Sequence, residues 1–138
     1  MNLVGDGAIP SLESALRFAW QRHEVILNNI ANVSTPGYRA QDLPVREFQA
    51  TLGRLRARTA SPTVLGGNPQ PLPAAGRAAF STRFVPRPTA DLPGPDGNSV
   101  VAETEAAKLA RNAAQFTAMA QLLTRQFDLI EKAIRERV

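Results

Sequence analysis

The side chains most suggestive of chemistry in this 138-residue sequence are a lone histidine and the glutamate that follows it, His23 and Glu24. They open like the H-E-x-x-H motif, whose second histidine lies one helical turn later and completes a zinc site. Leu27 stands at that position, so the second ligand is missing. The chain has no cysteine, no G-x-S-x-G turn to present a nucleophilic serine, and no lysine placed as in a P-loop. The sequence therefore predicts no catalytic residue, no metal, no cofactor and no small-molecule ligand.

A cluster of three arginines, Arg54, Arg56 and Arg58, could instead bind a phosphate backbone. They lie in a stretch, residues 48–90, that holds six arginines and no carboxylate, so the net charge of +4 resides there. Aromatic rings that would stack on bases are not interleaved with the cluster. We interpret these arginines as keeping a proline- and glycine-rich segment in solution, which predicts no nucleic-acid partner. A small basic nucleic-acid-binding protein remains the alternative from another functional class.

Two amphipathic helices frame the chain. In residues 11–33 the inward positions alternate in steps of four and three, the spacing of a heptad seam. These positions are Leu12, Leu16, Ala19, His23, Ile26, Ile30 and Val33. Ten positions with the same spacing are apolar in residues 102–134, namely Ala102, Ala106, Leu109, Ala113, Phe116, Ala120, Leu123, Phe127, Ile130 and Ile134. We expect both seams to be assembly surfaces, because an apolar stripe on a long helix needs a partner.

The region between the helices has a different composition. Residues 53–98 hold 8 of the 11 prolines and 6 of the 9 glycines, which argues against a long helix. Residues 77–85 contain enough Phe and Val for a short strand or hairpin arm, and residues 96–99 predict a turn and a helix N-cap. The predicted fold is mainly α, with two long terminal helices that each need an apolar partner. Its parts are residues 1–52, the irregular middle segment 53–98, and the C-terminal helix in 99–138, with the terminal helices forming one domain.

The most specific segment is residues 28–38, which we call the signature segment. It combines an amide-rich helix end with a Pro-Gly turn, and its distinctive residues are Asn28, Asn29, Ile30, Ala31, Asn32, Thr35, Pro36, Gly37 and Tyr38. Asn32 is a candidate for the left-handed conformation that ends a helix. Residues 35–38 fit a type II turn, with proline at its second and glycine at its third position. The sequence therefore predicts that the chain reverses direction sharply after the first helix.

The signature segment resembles the N-N-I-A-N-x-x-T-P-G-Y motif of the bacterial flagellar axial proteins, which are the rod, hook and hook-associated subunits. Every motif position matches. Three further features are similar to one of the short proximal rod subunits: the length of the chain, residues 96–105 (DGNSVVAETE) and residues 122–134 (LLTRQFDLIEKAI). The resemblance covers residues 11–52 and 95–138. Another short rod subunit, such as FlgC, is the alternative within the family.

The resemblance implies that the long terminal helices pair as a coiled coil. It also implies a structural subunit of the proximal rod that self-assembles into a helical tube and transmits torque. The partners implied are copies of itself, other rod subunits, the adaptor protein and MS ring of the basal body, and the flagellar type III export apparatus. The N-terminus lacks a basic stretch followed by an apolar one, and no run approaches ~18 apolar residues. We therefore expect export into the periplasmic rod without a cleaved signal peptide. Phe48 and Leu52 fit the short Phe-x-x-x-hydrophobic element of early export substrates.

Overall fold

A computed structural model describes residues 8–60 and 84–136 of the chain. Within these ranges it describes every side chain except those at positions 8 and 55–60. Its elements, in chain order, are helix α1 (Ala8–Ala31), strand β1 (Gln41–Asp42), helix α2 (Val45–Ala60), strand β2 (Arg87–Pro88) and helix α3 (Ala102–Arg135). The mainly helical prediction is confirmed, and both long helices lie where the heptad patterns placed them. The 34-residue α3 is longer than the 24-residue α1.

The two long helices pack against each other in opposite directions. Near the end of α1, the Asn29 amide contacts the Glu105 carboxylate near the start of α3 at 2.9 Å. In the middle of α1, the carbonyl of Ala19 accepts a hydrogen bond of 2.8 Å from the Asn112 amide. Because positions rise along α3 as they fall along α1, the helices are antiparallel. The predicted pairing of the terminal helices is therefore present within a single chain.

The face of α1 that packs inward is rotated from the predicted seam. Ala15, Ala19, Ile26 and Asn29 are buried, and the Arg22 side chain is largely covered. Of the predicted seam, only Ala19 and Ile26 are buried. Val33 is exposed, and the other four members are half-buried, namely Leu12, Leu16, His23 and Ile30. The inward face of α1 therefore carries Ala15, Arg22 and Asn29 where the heptad pattern placed Leu16, His23 and Ile30.

Helix α3 shows the same rotation. Its only buried residues in the described chain are polar, Glu105 and Asn112. The predicted seam residues Leu109, Leu123 and Ile130 are half-buried, whereas Phe116, Phe127 and Ile134 are exposed. Within one chain, α3 therefore leaves much of its predicted seam exposed, and the role of that seam in assembly stays a prediction. Hydrogen-bonded side chains direct the helix face inward, and a pattern of apolar residues does not register them.

Helix α2 crosses the predicted boundary between residues 52 and 53 and continues through Gly53 to Ala60. This helix was not predicted, and it is possible because no proline occurs between Pro44 and Pro62. Three aromatic rings attach α2 to the rest of the chain. The ring of Phe48 stacks on Phe18 of α1 at 4.2 Å between centroids, and Phe84 meets both rings edge-on at 5.0 and 5.4 Å.

The two short strands form an antiparallel pair, with Gln41 opposite Pro88 and Asp42 opposite Arg87. An ion pair holds β1 to α1: the Arg22 guanidinium donates to both carboxylate oxygens of Asp42, at 2.8 and 2.7 Å. The strand predicted within residues 77–85 is not found at residues 84 and 85, and the rest of that prediction lies outside the described residues.

Candidate functional site

The end of α1 is held by a side chain that is distant in sequence. The amide nitrogen of Asn98 donates to the backbone carbonyls of Asn32, Val33 and Thr35, at 3.0, 2.9 and 3.0 Å. These three carbonyls follow α1, which ends at Ala31, so Asn98 holds the turn that leaves the helix. Asn32 is not left-handed, because Gly37 and Gly97 are the only described residues with positive φ. The prediction that Asn32 ends the helix by its own conformation is therefore wrong.

The turn after α1 has the features that the sequence predicted for residues 35–38. The N–H of Tyr38 donates to the carbonyl of Thr35 at 3.2 Å. Gly37 has φ of 72°, which the third position of a type II turn requires and which side chains other than glycine adopt at a cost. Pro36 is exposed, so its contribution is to fix its own φ rather than to pack.

The turn crosses the 96–99 segment at close range. The N–H of Gly37 donates to the carbonyl of Asp96 at 3.0 Å, and the N–H of Ser99 donates to the carbonyl of Tyr38 at 3.0 Å. A Cβ on Gly97 would lie 3.4 Å from the Cα of Gly37, and Gly97 itself has φ of 78°. Two glycines therefore allow the two backbones to cross.

The turn before α3 spans residues 94–97, where the N–H of Gly97 donates to the carbonyl of Gly94 at 2.9 Å, rather than the predicted residues 96–99, and residues 98 and 99 do not cap α3. The N-cap of α3 is Val101, which has no side-chain capping hydrogen bond. The Ser99 hydroxyl instead accepts from the N–H of Ala40 at 2.9 Å, and the carbonyl oxygen of the Asn98 side chain accepts from the N–H of Val100 at 2.7 Å. The N-cap prediction is wrong, because both side chains hold the signature segment and its surroundings rather than the helix that follows them.

Asn29 lies at the centre of this region and is fully buried. Its amide nitrogen donates to the carbonyl of Gln41 at 2.7 Å and to the Glu105 carboxylate at 2.9 Å. Its amide oxygen accepts from the N–H of Gln41 at 3.1 Å and from the Tyr38 hydroxyl at 3.2 Å. One side chain thus connects α1, the turn, β1 and α3.

The carboxylate of Glu105 is 1 % exposed and has two partners. Besides the Asn29 amide, the ammonium group of Lys108 lies 2.6 Å from its other oxygen. A buried carboxylate costs free energy unless it is paired and hydrogen-bonded, and both conditions hold here. Burial, and secondarily the charge of Glu105, raises the pKa of the Tyr38 phenol above its usual 10.0. The phenol therefore remains neutral and donates a hydrogen bond to the amide oxygen of Asn29.

We call this assembly, residues 28–41 together with 96–105, the joint. Of the signature residues, it brings together Asn29, Asn32, Thr35, Gly37 and Tyr38. Asn28 contributes an exposed hydrogen bond of 3.2 Å to the Tyr38 hydroxyl. Ile30 is half-buried, and Ala31 and Pro36 are exposed. The joint contains no nucleophile paired with a base, and its chemical capacity is to hold two helices in fixed relation.

Sequence reasoning missed the three side chains that complete the joint, Asn98, Ser99 and Glu105. The available signal was the similarity of residues 96–105 to flagellar rod subunits, which identified the run without showing what it contacts. Phe48 and Leu52, the candidate export element, lie on α2 away from the joint, and Phe48 belongs to the aromatic cluster. Arg54 donates to the Thr51 hydroxyl at 3.3 Å, and the side chains of Arg56 and Arg58 lie outside the described residues.

No group of three or more His, Cys, Asp or Glu side chains is arranged to hold a metal ion in residues 8–60 and 84–136. Over the same ranges, no helix is long and apolar enough to cross a membrane.

Comparison with known proteins agrees with this geometry. Residues 9–39, which contain all of α1 but its first residue and the whole signature segment, match the family model described as flagella basal body rod protein. The flagellar basal body rod protein FlgB of Escherichia coli K12 is 32 % identical over 112 residues, covering 80 % of each chain. That of Yersinia enterocolitica is 33 % identical over 119 residues, covering 80 % of this chain and 81 % of the relative. FlgB of Aquifex aeolicus is 50 % identical over 28 residues, 20 % of this chain and 23 % of its own. The chain belongs to the FlgB family of flagellar basal body rod proteins.

Proposed function

We propose that this chain is a structural subunit of the proximal rod, which assembles with copies of itself into a helical tube and transmits torque, and that it is not an enzyme. One observation carries the mechanical part of the proposal. The joint fastens the end of α1 to the start of α3 through buried hydrogen bonds between segments about 70 residues apart, such as Asn29 to Glu105. Because each end of the joint is tied at several points, a force on one helix is passed to the other without a flexible hinge.

The partners follow from this role. The exposed apolar residues of α3, which include Phe116, Phe127 and Ile134, are suited to contacts with copies of the chain and with other rod subunits. The adaptor protein and the MS ring of the basal body adjoin the proximal rod, and we assign contacts with them to the same subunit. The signature segment, by fixing the angle between α1 and the following chain, presents these surfaces in one orientation.

The experiment that tests the rod assignment is carried out in the native bacterium. The gene is deleted and replaced by a copy that carries an epitope tag, and basal bodies are purified. We expect the deletion to abolish motility and the tagged copy to restore it, with the tag found by immunogold labelling in the rod. A restored motility with no tag in the basal body would contradict the assignment.

We further propose that the chain reaches the periplasmic rod through the type III export apparatus, without a cleaved signal peptide, and that Phe48 and Leu52 form the element recognised there. The support is the match of these residues to the Phe-x-x-x-hydrophobic pattern. Phe48 also stacks on Phe18, so that Phe48→Ala affects packing as well as any recognition.

Phe18→Ala is the matched control, because it breaks the same stack and leaves the element intact. We expect Phe48→Ala to reduce the amount of chain exported by a rod-less strain and Phe18→Ala to leave it near the wild-type amount. Equal export of both variants would show that Phe48 serves packing alone.

A further inference from the structure

Beside the contact between α1 and α3 lies an apolar groove of about 150 Å³. Its lining includes Ala19, Trp20, His23, Ala113, Phe116 and Thr117. The ring of Trp20 is 58 % exposed, and Ala113 is exposed as well. An apolar cavity of about 150 Å³ is large enough to hold a benzene-sized ring. The groove therefore has the volume and the walls to receive one aromatic side chain.

The groove opens beside a stripe of α3 whose members are exposed except for the half-buried Ala120. This stripe repeats every seven residues and consists of Ala106, Ala113, Ala120, Phe127 and Ile134. Its first three members are alanines, and its last two are large and exposed, Phe127 at 51 % and Ile134 at 63 %. One half of the stripe therefore offers depressions and the other half offers projections, with the same seven-residue spacing.

The two halves fit each other when one copy of α3 is shifted along another. In a parallel arrangement shifted by two heptads, or about 21 Å at 1.5 Å per residue, Phe127 of one copy lies over Ala113 of the next, and Ile134 lies over Ala120. Residues 126–136 then run alongside residues 112–122. The latter contain no charged side chain, so the charged residues near the end of α3 meet no like charge.

We propose that a second copy of this chain occupies the groove, with its Phe127 side chain between Trp20 and Phe116 and its α3 parallel to the first and shifted by two heptads. The inference rests on the proposed function, since it names the contact through which copies assemble. Ala113 of one copy contacts Phe127 of the other, so the two surfaces differ and the contact is heterologous. Repetition of such a contact gives an open helical assembly rather than a closed dimer.

An antiparallel pair could also place Phe127 over Ala113, but it would close as a dimer, with Ala120 facing Ala120. Cysteine crosslinking distinguishes the two arrangements, and the chain has no cysteine of its own. Chains carrying Ala120→Cys are mixed with chains carrying Ile134→Cys and mildly oxidised. We expect disulfide-linked pairs in the mixture and few from either chain alone. Efficient self-crosslinking of Ala120→Cys alone would overturn the parallel arrangement.

Sedimentation velocity across a concentration series tests the groove itself. We expect Phe127→Ala to weaken self-association about 30-fold, as truncation of a central interface aromatic does, and Ala113→Leu to weaken it by filling the groove. Leu129→Ala is the matched control, because Leu129 is 58 % exposed and lies two residues off the stripe.

The outcomes separate the inference from the function on which it rests. A wild-type chain that remains monomeric at every concentration would overturn self-assembly and this contact together. A wild-type chain that associates, with Phe127→Ala and Leu129→Ala associating equally well, would overturn this contact alone.

Discussion

Replacing Asn29 by alanine tests whether the joint is what fixes α1 to α3. The substitution removes both hydrogen bonds to the backbone of Gln41, at 2.7 and 3.1 Å, and the one to the Glu105 carboxylate at 2.9 Å. The carbonyl and N–H of Gln41 and the carboxylate oxygen of Glu105 then lose a partner in a region from which the Asn29 side chain excluded water. The Tyr38 hydroxyl loses one partner but keeps the Asn28 amide.

The expected loss in the free energy of unfolding follows from the number of hydrogen bonds that the substitution removes. A typical hydrogen bond contributes about 1 kcal/mol net, and an orphaned buried partner costs about 1–3 kcal/mol. Three bonds to buried or partly buried groups give a loss of about 3 kcal/mol in the free energy of unfolding. With a urea m-value of about 2 kcal/mol/M, the unfolding midpoint should fall by about 1.5 M.

The assay is urea unfolding followed by circular dichroism, at a concentration where the chain is monomeric. Asn28→Ala is the matched control, because Asn28 is adjacent, belongs to the same signature and makes only exposed side-chain bonds to Tyr38 and Asn32, at 3.2 and 3.3 Å. We expect it to change stability by less than about 0.5 kcal/mol. Equal midpoints for the two variants would refute the central place given to Asn29.

Three further perturbations address the turn, the phenol and the ion pair. Gly37→Val should lower stability by about 1–2 kcal/mol, because φ is 72° at this position while the space around a Cβ is open. This variant should express but not support motility, and normal swimming would count against the turn. Gly53→Ala, in open space on α2, should instead stabilise by up to about 1 kcal/mol. The raised pKa of Tyr38 means that the folded chain prefers the neutral phenol. The contribution of the phenol to stability is therefore complete below pH 10.0 and is lost as the pH rises through the higher pKa of the folded chain. Tyrosinate absorbance reports the ionisation directly, since the chain has one tyrosine, and ionisation at or below the usual pH would contradict the burial argument. Arg22→Lys should lower the unfolding midpoint, because a lysine cannot make the bidentate contact with Asp42; an unchanged midpoint would indicate that a single charge suffices.

Heptad spacing predicted the existence and approximate bounds of α1 and α3, but not their inward faces. Ala19 and Ile26 were expected in the seam and are buried, whereas Leu16 and Ile30 give way to Ala15 and Asn29. The cause is that a pattern of apolar residues treats every polar side chain as solvent-facing. Asn29 faces inward because it finds hydrogen-bond partners there.

The sequence by itself determined the two helices, the Pro-Gly turn with glycine at its positive-φ position, and, through the signature motif, the family. These depend on local spacing and on the conformational limits of single residues. Only the tertiary structure decided that Asn98 binds the carbonyls of the turn after α1, that Ser99 binds Ala40 rather than capping α3, and that Glu105 is a buried partner of Asn29. A hydrogen bond between residues far apart in the chain forms only when packing brings donor and acceptor together, and no local pattern of residues encodes that meeting.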